Sequence, residues 1–318
     1  MTKQTDILND KNYTPVLDHG FVGLIDHMGD DAALVQAARV SYGKGTKKVS
    51  EDRGLIRYLI RHKHTSPIEM AEVKLHIKMP TFVARQWVRH RTANVNEISF
   101  RYSDIEDEFY FPDESVIQPQ SIDNKQGRSG QISDKNKKGV LWIFETAYSN
   151  AMQAYRVLRG DKDEKLTEDF YDIYGNDAIL DKDFDGVARE LARSVVPVGV
   201  YTETYWKIDL KNLLHFLTLR ADSHAQYEIR VYADAIYNLL LPLFPLTMEA
   251  YNDYMKTDNT YNLSRMDLNY LRDFVQSELN YNDWQKLLEV TIGDNKKIAK
   301  HYGMTERELK ELISTLAK

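Results

Sequence analysis

The chain has 318 residues, of which 42% are hydrophobic and 11% aromatic, and its formal net charge is -6. This composition is typical of a folded protein with a sizeable core, and the acidic balance argues against a general affinity for nucleic acids or anionic membranes. Because the sequence contains no cysteine, disulfides, iron–sulfur clusters and thiolate nucleophiles are excluded. The N-terminus lacks the basic and apolar regions of a signal peptide and the longest apolar run, residues 239–246, is too short to span a membrane, so we expect a cytoplasmic protein.

The first half of the chain predicts alternating helices and strands. Residues 31–40 predict a helix, and a second helix over residues 51–64 ends where Thr65-Ser66-Pro67 interrupts it. Residues 72–79 alternate strictly between polar and apolar side chains, which predicts a half-buried strand that Pro80 closes.

Two further elements follow Pro80. Residues 81–91 change to a helical period, so that Gln86, Arg89 and His90 share one face. Residues 97–103 alternate again, which predicts a strand whose alternate side chains project to the same side.

The second half of the chain predicts mainly helices and loops. Residues 112–139 are typical of a long loop, and residues 140–158 of a helix. Residues 161–185 carry ten acids against three lysines and predict an exposed insertion. A helical region is expected from about residue 207 to residue 240, interrupted near LRADSHAQYEIR, and residues 251–318 predict a helical extension.

Arginines and other polar residues are concentrated between residues 85 and 103 of this acidic chain. The planar guanidinium group binds phosphate or a paired carbonyl edge in bidentate fashion, and Ser99 with nearby backbone N–H groups could complete a phosphate pocket. The alternative is a solvated helix end with salt bridges. Since Asn96, Glu97 and Ser99 fall within four positions among apolar residues, we favour an anion site.

Three further clusters contain residues suited to binding, and each has a structural alternative. Residues 64–69 could instead form a capping turn. The histidines within residues 214–230 could instead be partly buried side chains with satisfied hydrogen bonds. The arginine in the segment predicted to be helical up to Pro197 could instead be an exposed cation on the helix surface. No metal site is expected, because residues 181–186 begin like a calcium loop but Ala192 stands where a bidentate glutamate is needed. The residues concerned are His64, Ser66, Glu69, Arg193, His215, Arg220 and His224.

The segment RHRTANVNEISFRYS, residues 89–103, resembles the signature of the flavin-dependent thymidylate synthases, which is R-H-R followed by seven residues and a serine. The segments AARVSYG, HTSPIE, FVARQWVRHR, ARSVVPVGVYT and LRADSHAQYEIR match the same family in the same order, over roughly residues 30–245. The resemblance implies an α+β fold with a mixed or antiparallel central sheet flanked by long helices. It also implies a homotetramer with sites shared between subunits, a catalytic domain over residues 1–250 and a helical extension over residues 251–318.

The same resemblance implies that the chain methylates dUMP to dTMP. The carbon would come from 5,10-methylenetetrahydrofolate and the hydride from FAD, which NADPH reduces again. The lack of cysteine agrees with this route, because the classical thymidylate synthase needs a cysteine nucleophile and the flavin route does not.

The family's site residues are carried over position by position. Arg220 would act catalytically by facing the uracil edge and favouring its ionised form, which makes C5 more nucleophilic. The dUMP site maps onto Gln86, Arg89, Glu97, Ser99, Phe100, Arg101, Arg193 and Arg220. The FAD site maps onto Ser41, Ser66, Glu69, Arg89, His90, Arg91, Glu97, Asp209, Lys211, His215 and His224, and His64 and His90 are further candidates to contact the folate or the flavin ring. The chain departs from the frequent family residues at Met70, Phe100, Asp209 and Lys211.

The tail supports an alternative function. Residues 296–313 predict helix, turn and helix, with Thr305 capping the second helix opposite Glu308 and Leu309, Leu312 and Ile313 forming an apolar stripe. This pattern fits DNA binding, but it also fits a small helical hairpin that packs on the core or on a neighbouring subunit. We favour the hairpin, because the tail is only weakly basic.

Overall fold

A computed structural model describes residues 1–7, 9–40, 49–122, 127–161, 180 and 184–256, and, near the C-terminus, residues 265–267, 269, 299–302 and 304–309. The chain divides into two compact units, Met1–Asp258 and Asn259–Lys318. Most of the acidic insertion at 161–185 lies outside the described residues, as does Ser41.

One sheet of five antiparallel strands forms the centre of the first unit, in the order β1-β2-β3-β5-β4. The antiparallel central sheet of an α+β fold is therefore confirmed, and the strand predicted over residues 72–79 is its central strand. The strands are β1 (Tyr13–Val16), β2 (Gly20–Met28), β3 (Glu72–Pro80), β4 (Asn94–Glu97) and β5 (Tyr201–Asp209).

Helices and short 3-10 turns connect the strands. The α-helices among the described residues of the first unit are α1 (Gln4–Ile7), α2 (Asp31–Arg39), α3 (Val49–Arg61), α4 (Thr81–Trp87), α5 (Asp134–Leu158), α6 (Arg189–Ala192), α7 (Leu210–Arg220), α8 (Tyr227–Leu240) and α9 (Pro245–Tyr254). The described 3-10 turns include Ile68–Met70, Glu114–Val116 and Arg193–Val195. Within the described residues, none of the helices combines the length and the apolar character that a bilayer crossing requires.

One face of the sheet packs against helices and forms the main core. Leu75 and Trp206, which pair in register between β3 and β5, are both buried there. The ring of Trp87 at the end of α4 lies 5.2 Å from Trp206 and 4.6 Å from Phe216 of α7. Aromatic packing of this kind fixes the end of α4 against α7.

The opposite face of β3 is also buried, so the prediction of a half-buried strand is wrong for its second half. His76 donates to or accepts from Tyr13 at 2.9 Å and Glu203 at 2.7 Å, and the Lys78 ammonium group contacts the Glu108 carboxylate. Alternation along a strand predicts which residues share a face, but it does not predict that a distant segment covers the polar face.

Two predictions about strands and helices are corrected around β4 and β5. The strand expected over residues 97–103 ends at Glu97, because β4 pairs with residues 204–207 of β5 and the chain then turns. The helical region expected from residue 207 begins at Leu210, and the residues before it belong to β5. The predicted interruption of that helical region is confirmed, since α7 ends at Arg220 and α8 begins at Tyr227.

Two further helix boundaries differ from the sequence prediction. Helix α5 begins at Asp134 instead of residue 140, because the Ser133 side chain caps it by accepting from the Asn136 N–H at 3.4 Å. The helix expected up to Pro197 is limited to α6 and the 3-10 turn that follows it.

The described part of the tail confirms the predicted cap. The Thr305 N–H donates to Glu308 Oε2 at 2.5 Å, and the Glu308 N–H donates to Thr305 Oγ1 at 3.2 Å, which is a reciprocal capping box. Leu309 is buried, whereas Leu312 and Ile313 lie outside the described residues, so the DNA-binding hypothesis stays untested.

Candidate active site

Many of the predicted site residues lie on α7 or on segments that contact its two ends. The helix has 11 residues and is therefore about 16 Å long. At its N-terminal end, the Leu210 N–H donates to the carbonyl of Ala71 at 2.8 Å, which joins α7 to the turn that carries Ser66 and Glu69. Residues far apart in sequence are thus brought together along one helix.

Asp209 and Lys211 begin α7, and both contact Asn212. Asp209 Oδ1 accepts from the Asn212 N–H at 2.9 Å and Oδ2 accepts from the Asn212 side-chain amide at 2.6 Å. Lys211 donates to Asn212 Oδ1 at 3.1 Å. The Asp209 side chain therefore caps the helix. A flavin that contacted Asp209 would share its carboxylate oxygens with Asn212.

A cavity of about 790 Å³ lies beside the turn that carries His64 and Ser66. Its walls are mostly apolar side chains of α2 and α3, and the Tyr58 ring lies 5.4 Å from the His64 ring in an edge-on arrangement. Mostly apolar walls with a few polar groups are typical of sites that bind a heteroaromatic ring such as that of a flavin. The lining residues are Ala33, Gln36, Ala37, Ala38, Val40, Leu55, Tyr58, Leu59, His64, Ser66, Pro67 and Met70.

His90 and Arg220 meet at the C-terminal end of α7. Arg220 Nε donates to His90 Nε2 at 3.1 Å, and the His90 ring also packs 4.9 Å from Phe216. Burial, followed by the positive charge of Arg220 and then by His215, lowers the pKa of His90 to about 4. His90 is therefore neutral at pH 7, with its proton on Nδ1, while burial also lowers the pKa of Arg220 without discharging it.

A chain of polar contacts extends from Gln86 into the protein. The Gln86 side-chain amide donates to Gln226 Oε1, and Gln226 Nε2 donates to Glu228 Oε2 at 2.8 Å. Glu228 also accepts from Arg128 Nη2 at 2.7 Å on both carboxylate oxygens and from the Tyr110 hydroxyl at 3.0 Å. The sequence analysis did not single out Gln226, Glu228 or Arg128; an acid at a buried position of an amphipathic helix was the available signal.

Ionisation of Glu228 follows from its neighbours. Its burial would raise its pKa, but hydrogen bonds from Arg128 and Gln226 outweigh that effect and lower the pKa below its usual value. Burial and the adjacent Glu228 carboxylate raise the pKa of Tyr110, which keeps its hydroxyl a donor.

The residues predicted to hold phosphate lie on an exposed turn after β4. The Tyr102 and Ser103 N–H groups donate to the Ser99 carbonyl at 3.0 and 3.1 Å, and the Arg101 N–H donates to Ser99 Oγ at 3.4 Å. Arg101 and Ser99 therefore meet through a tight turn, and not through the strand alternation that we expected. Phe100 packs partly buried against a second hydrophobic cluster, which contains Tyr148.

Arg101 and Arg193 belong to neighbouring segments. Arg101 forms an ion pair with Glu190 of α6 at 3.1 Å, and Arg193 follows three residues later on an exposed 3-10 turn. Glu97 accepts from the Thr202 hydroxyl at 2.6 Å. We call the predicted dUMP-site residues of these two segments the Arg101 cluster: Ser99, Phe100, Arg101 and Arg193.

We call a second set of predicted site residues the α7 group: Gln86, His90, His215 and Arg220. Within the described residues, no hydrogen bond or ion pair joins side chains of the Arg101 cluster to side chains of the α7 group. Arg89, Arg91 and His215 are exposed, and His224, whose side chain is 80% exposed, contacts Asp222 at 2.9 Å. The alternative interpretation of His215 and His224 as partly buried histidines is therefore wrong.

Most of the chain is similar to known proteins. Residues 23–246 match the model of the family described as "Thymidylate synthase complementing protein". The flavin-dependent thymidylate synthase of Rickettsia bellii is 46% identical over 302 residues, which cover 95% of this chain and 92% of the relative. The chain belongs to the flavin-dependent thymidylate synthase family. The flavin-dependent thymidylate synthase of Gluconobacter oxydans is 51% identical to this chain over 244 residues, which cover 76% of this chain and 74% of that protein.

Two solved structures have a fold similar to that of this chain. The UMP/dUMP methylase PolB from Streptomyces cacaoi, bound with 5-Br dUMP, superimposes with a TM-score of 0.62 and 29% identity, covering 76% of this chain and 99% of that one. Its complex with 5-Br UMP gives a TM-score of 0.60 and 30% identity. The α+β fold of this family member is thus that of a known nucleotide methylase.

Proposed function

We propose that this chain methylates dUMP at C5 to form dTMP, with 5,10-methylenetetrahydrofolate as carbon donor and with FAD, reduced by NADPH, as reductant. The observation that carries the proposal is family membership at 46% identity over 95% of the chain, with the signature residue His90 in direct contact with Arg220. A soluble substrate and cofactor set of this kind is consistent with the predicted cytoplasmic location.

Arg220 is the catalytic residue in this proposal. When C5 of uracil attacks an electrophilic carbon, negative charge moves onto the ring carbonyl groups, and a fixed guanidinium group stabilises that charge. His90 accepts one N–H of Arg220 and so fixes the plane of the guanidinium group. Its neutral imidazole adds no second positive charge, which leaves the field of Arg220 directed at the substrate.

Phosphate binding falls to the other group of side chains. Arg101, Arg193 and the Ser99 hydroxyl lie on exposed turns and can bind a phosphate dianion, in exchange for the ion pair between Arg101 and Glu190. A bound phosphate brings two charges to the site, so we expect it to displace the single carboxylate of Glu190 from Arg101.

The flavin would lie along α7. His64 and Ser66 in the apolar cavity, Glu69 beside it, and Lys211 and His215 on α7 are the residues that would hold it. When bound, the flavin supplies the hydride that converts the transferred one-carbon unit into a methyl group. The apolar cavity walls would exclude water from the ring.

A homotetramer would bring the two groups of side chains into one site. Because no polar contact joins the Arg101 cluster to the α7 group in the described part of one chain, we propose that different subunits contribute the two sets of side chains to one site. Shared sites of this kind make catalysis depend on assembly.

The test is the visible spectrum of the purified full-length protein, followed by tritium release from [5-³H]dUMP. A flavin spectrum is expected, with tritium release that needs methylenetetrahydrofolate and NADPH. Arg220→Gln should lower kcat by about 100-fold, the typical cost of removing one electrostatic stabiliser of the transition state. The matched control is Arg85→Gln on the exposed side of α4, which should keep full activity. A colourless protein that stays inactive after addition of FAD would refute the proposal.

A further inference from the structure

The buried carboxylate of Glu228 is linked to Gln86 by two successive hydrogen bonds through Gln226. The residue is 3% exposed and accepts from Arg128, Tyr110 and Gln226. An ionised carboxylate can only accept hydrogen bonds, whereas a glutamine amide can donate at one end and accept at the other. Contact with Glu228 therefore decides which end of the Gln226 amide points inward.

The same constraint passes on to Gln86. Because the Gln226 NH₂ group faces Glu228, the Gln226 carbonyl oxygen faces outward and accepts from the Gln86 NH₂ group. One N–H of Gln86 is thereby used, and its carbonyl oxygen and second N–H remain for a ligand. A half-turn of the Gln86 amide would place two carbonyl oxygens against each other, which is unfavourable.

Orientation of such an amide distinguishes the two pyrimidine bases. Uracil presents an N3–H donor beside a carbonyl acceptor at C4, while cytosine presents an N3 acceptor beside an amino donor at C4. A glutamine amide can pair with either edge, but only after a half-turn. The amide orientation that the protein fixes therefore determines which of the two bases it can bind.

We propose that Glu228 is a positioning residue that fixes the amide of Gln86 through Gln226, and so selects a uracil over a cytosine nucleotide. Neutral uracil, with N3 protonated, is the species selected on binding, before charge develops on the ring. This inference rests on the proposed function, since it assumes that Gln86 faces the pyrimidine of dUMP.

Arg128 holds the first member of this relay in place. Its Nη2 contacts both oxygens of Glu228 at 2.7 Å, and its Nη1 donates to the Val116 carbonyl at 2.9 Å. The residue lies 100 positions before Glu228 in sequence, on the segment that precedes α5. This segment thus contributes a counterion that keeps Glu228 ionised and stationary.

The experiment compares dUMP with dCMP, using full-length protein loaded with FAD. Dissociation constants for both nucleotides are measured by calorimetry for the wild type, Glu228→Gln and Gln226→Met. Glu228→Gln replaces an acceptor with a group that can also donate, so the preference for dUMP over dCMP should fall about tenfold, the typical contribution of one oriented base contact. Gln226→Met interrupts the relay at an exposed position, keeps the ion pair between Arg128 and Glu228, and should give the same fall.

Tyr110→Phe is the matched control. It removes one donor to Glu228 but leaves the carboxylate ionised and bonded to Arg128 and Gln226, so the ratio of the two dissociation constants should not change. A purely structural role would weaken dUMP and dCMP equally in Glu228→Gln and Gln226→Met, and that result would overturn the proposal. If the wild type binds neither nucleotide, the proposed function itself fails. If it binds dUMP and releases tritium but the ratio is insensitive to both variants, only the relay fails.

Discussion

At the scale of single residues, the contact between Arg220 and His90 sets the charge of the site. His90 Nε2 accepts from the guanidinium group at 3.1 Å, so the imidazole must be neutral and carry its proton on Nδ1. Burial contributes most to the lowered pKa of His90, and Arg220 contributes next. Arg220 therefore carries the only positive charge of this pair, and the neutral His90 ring can donate its Nδ1–H to a ligand.

Removing the cation should raise the pKa of His90. In Arg220→Gln the repulsion disappears but burial remains, so the pKa should rise from about 4 and stay below the usual value of 6.5. Titration of the His90 ring by NMR measures this shift, with Arg85→Gln as the control that leaves it unchanged. An unchanged pKa in Arg220→Gln would show that the guanidinium group does not act on His90.

Stability should fall with acidification between pH 6.5 and pH 4. Folding lowers the pKa of His90 from 6.5 to about 4, so in this window the unfolded chain binds a proton that the folded chain excludes. The stability that this adds above pH 6.5 is lost as the pH falls. Urea unfolding of the wild type and of His90→Asn at pH 7 and pH 5 measures the effect, and the variant should lose less stability on acidification than the wild type.

The buried ammonium group of Lys78 should make Glu108 important for stability. Lys78 is fully buried and donates to the carbonyl of Thr2 at 2.8 Å as well as contacting Glu108. Glu108→Gln would leave the charge buried without its counterion, and we expect a loss of about 3 kcal/mol in the free energy of unfolding. Glu114→Gln, at an exposed acid, serves as the control and should be neutral. Equal stabilities of the two variants would contradict this account.

At the scale of elements, α7 organises the site because both of its ends are fixed by neighbouring elements. Its N-terminal end is bonded to the segment between the Ile68–Met70 turn and β3, and its C-terminal part packs through Phe216 on Trp87 of α4. The helix follows β5 without a loop, so the register of the sheet determines where it begins. Displacement of either end would separate Arg220 from His90.

The Asp209 cap separates a structural role from flavin binding. Asp209→Ala removes the acceptor for the Asn212 N–H and should cost about 1 kcal/mol of stability. Asp209→Asn keeps an oxygen at that position and also matches the frequent family residue, so both stability and FAD affinity should be retained. Urea unfolding and flavin fluorescence measure the two properties. Full stability in Asp209→Ala would contradict the capping role.

At the scale of the whole molecule, the two groups of site residues require an explanation. No polar contact joins the side chains of the Arg101 cluster to those of the α7 group within the described part of the chain. Sites completed by a second subunit, as we propose, would account for this separation. The symmetric assemblies that proteins commonly form would then produce several equivalent sites.

Subunit sharing predicts both a mass and a complementation. Light scattering should give four times the 37.0 kDa mass of the chain. Arg220→Gln and Arg101→Gln, each inactive alone, should regain part of the activity when they are mixed and reassembled, because some sites then receive both intact groups. The control mixes Arg220→Gln with His90→Asn, which should regain no activity, because both chains carry a defective α7 group and every site receives one of them. A monomeric protein, or mixed tetramers without regained activity, would contradict the proposal.

Sequence alone determined the family, through the signature at residues 89–103, and it determined the central strand through alternation and the tail cap through Thr305 and Glu308. These features are local, since neighbouring residues create them. Only the tertiary structure decided that Ser99 and Arg101 meet on a turn, that Lys78 is buried, and that Arg128 pairs with Glu228 across 100 positions. Such pairings depend on which strand ends where and on which segment covers it, and short-range patterns of hydrophobicity carry no information about either.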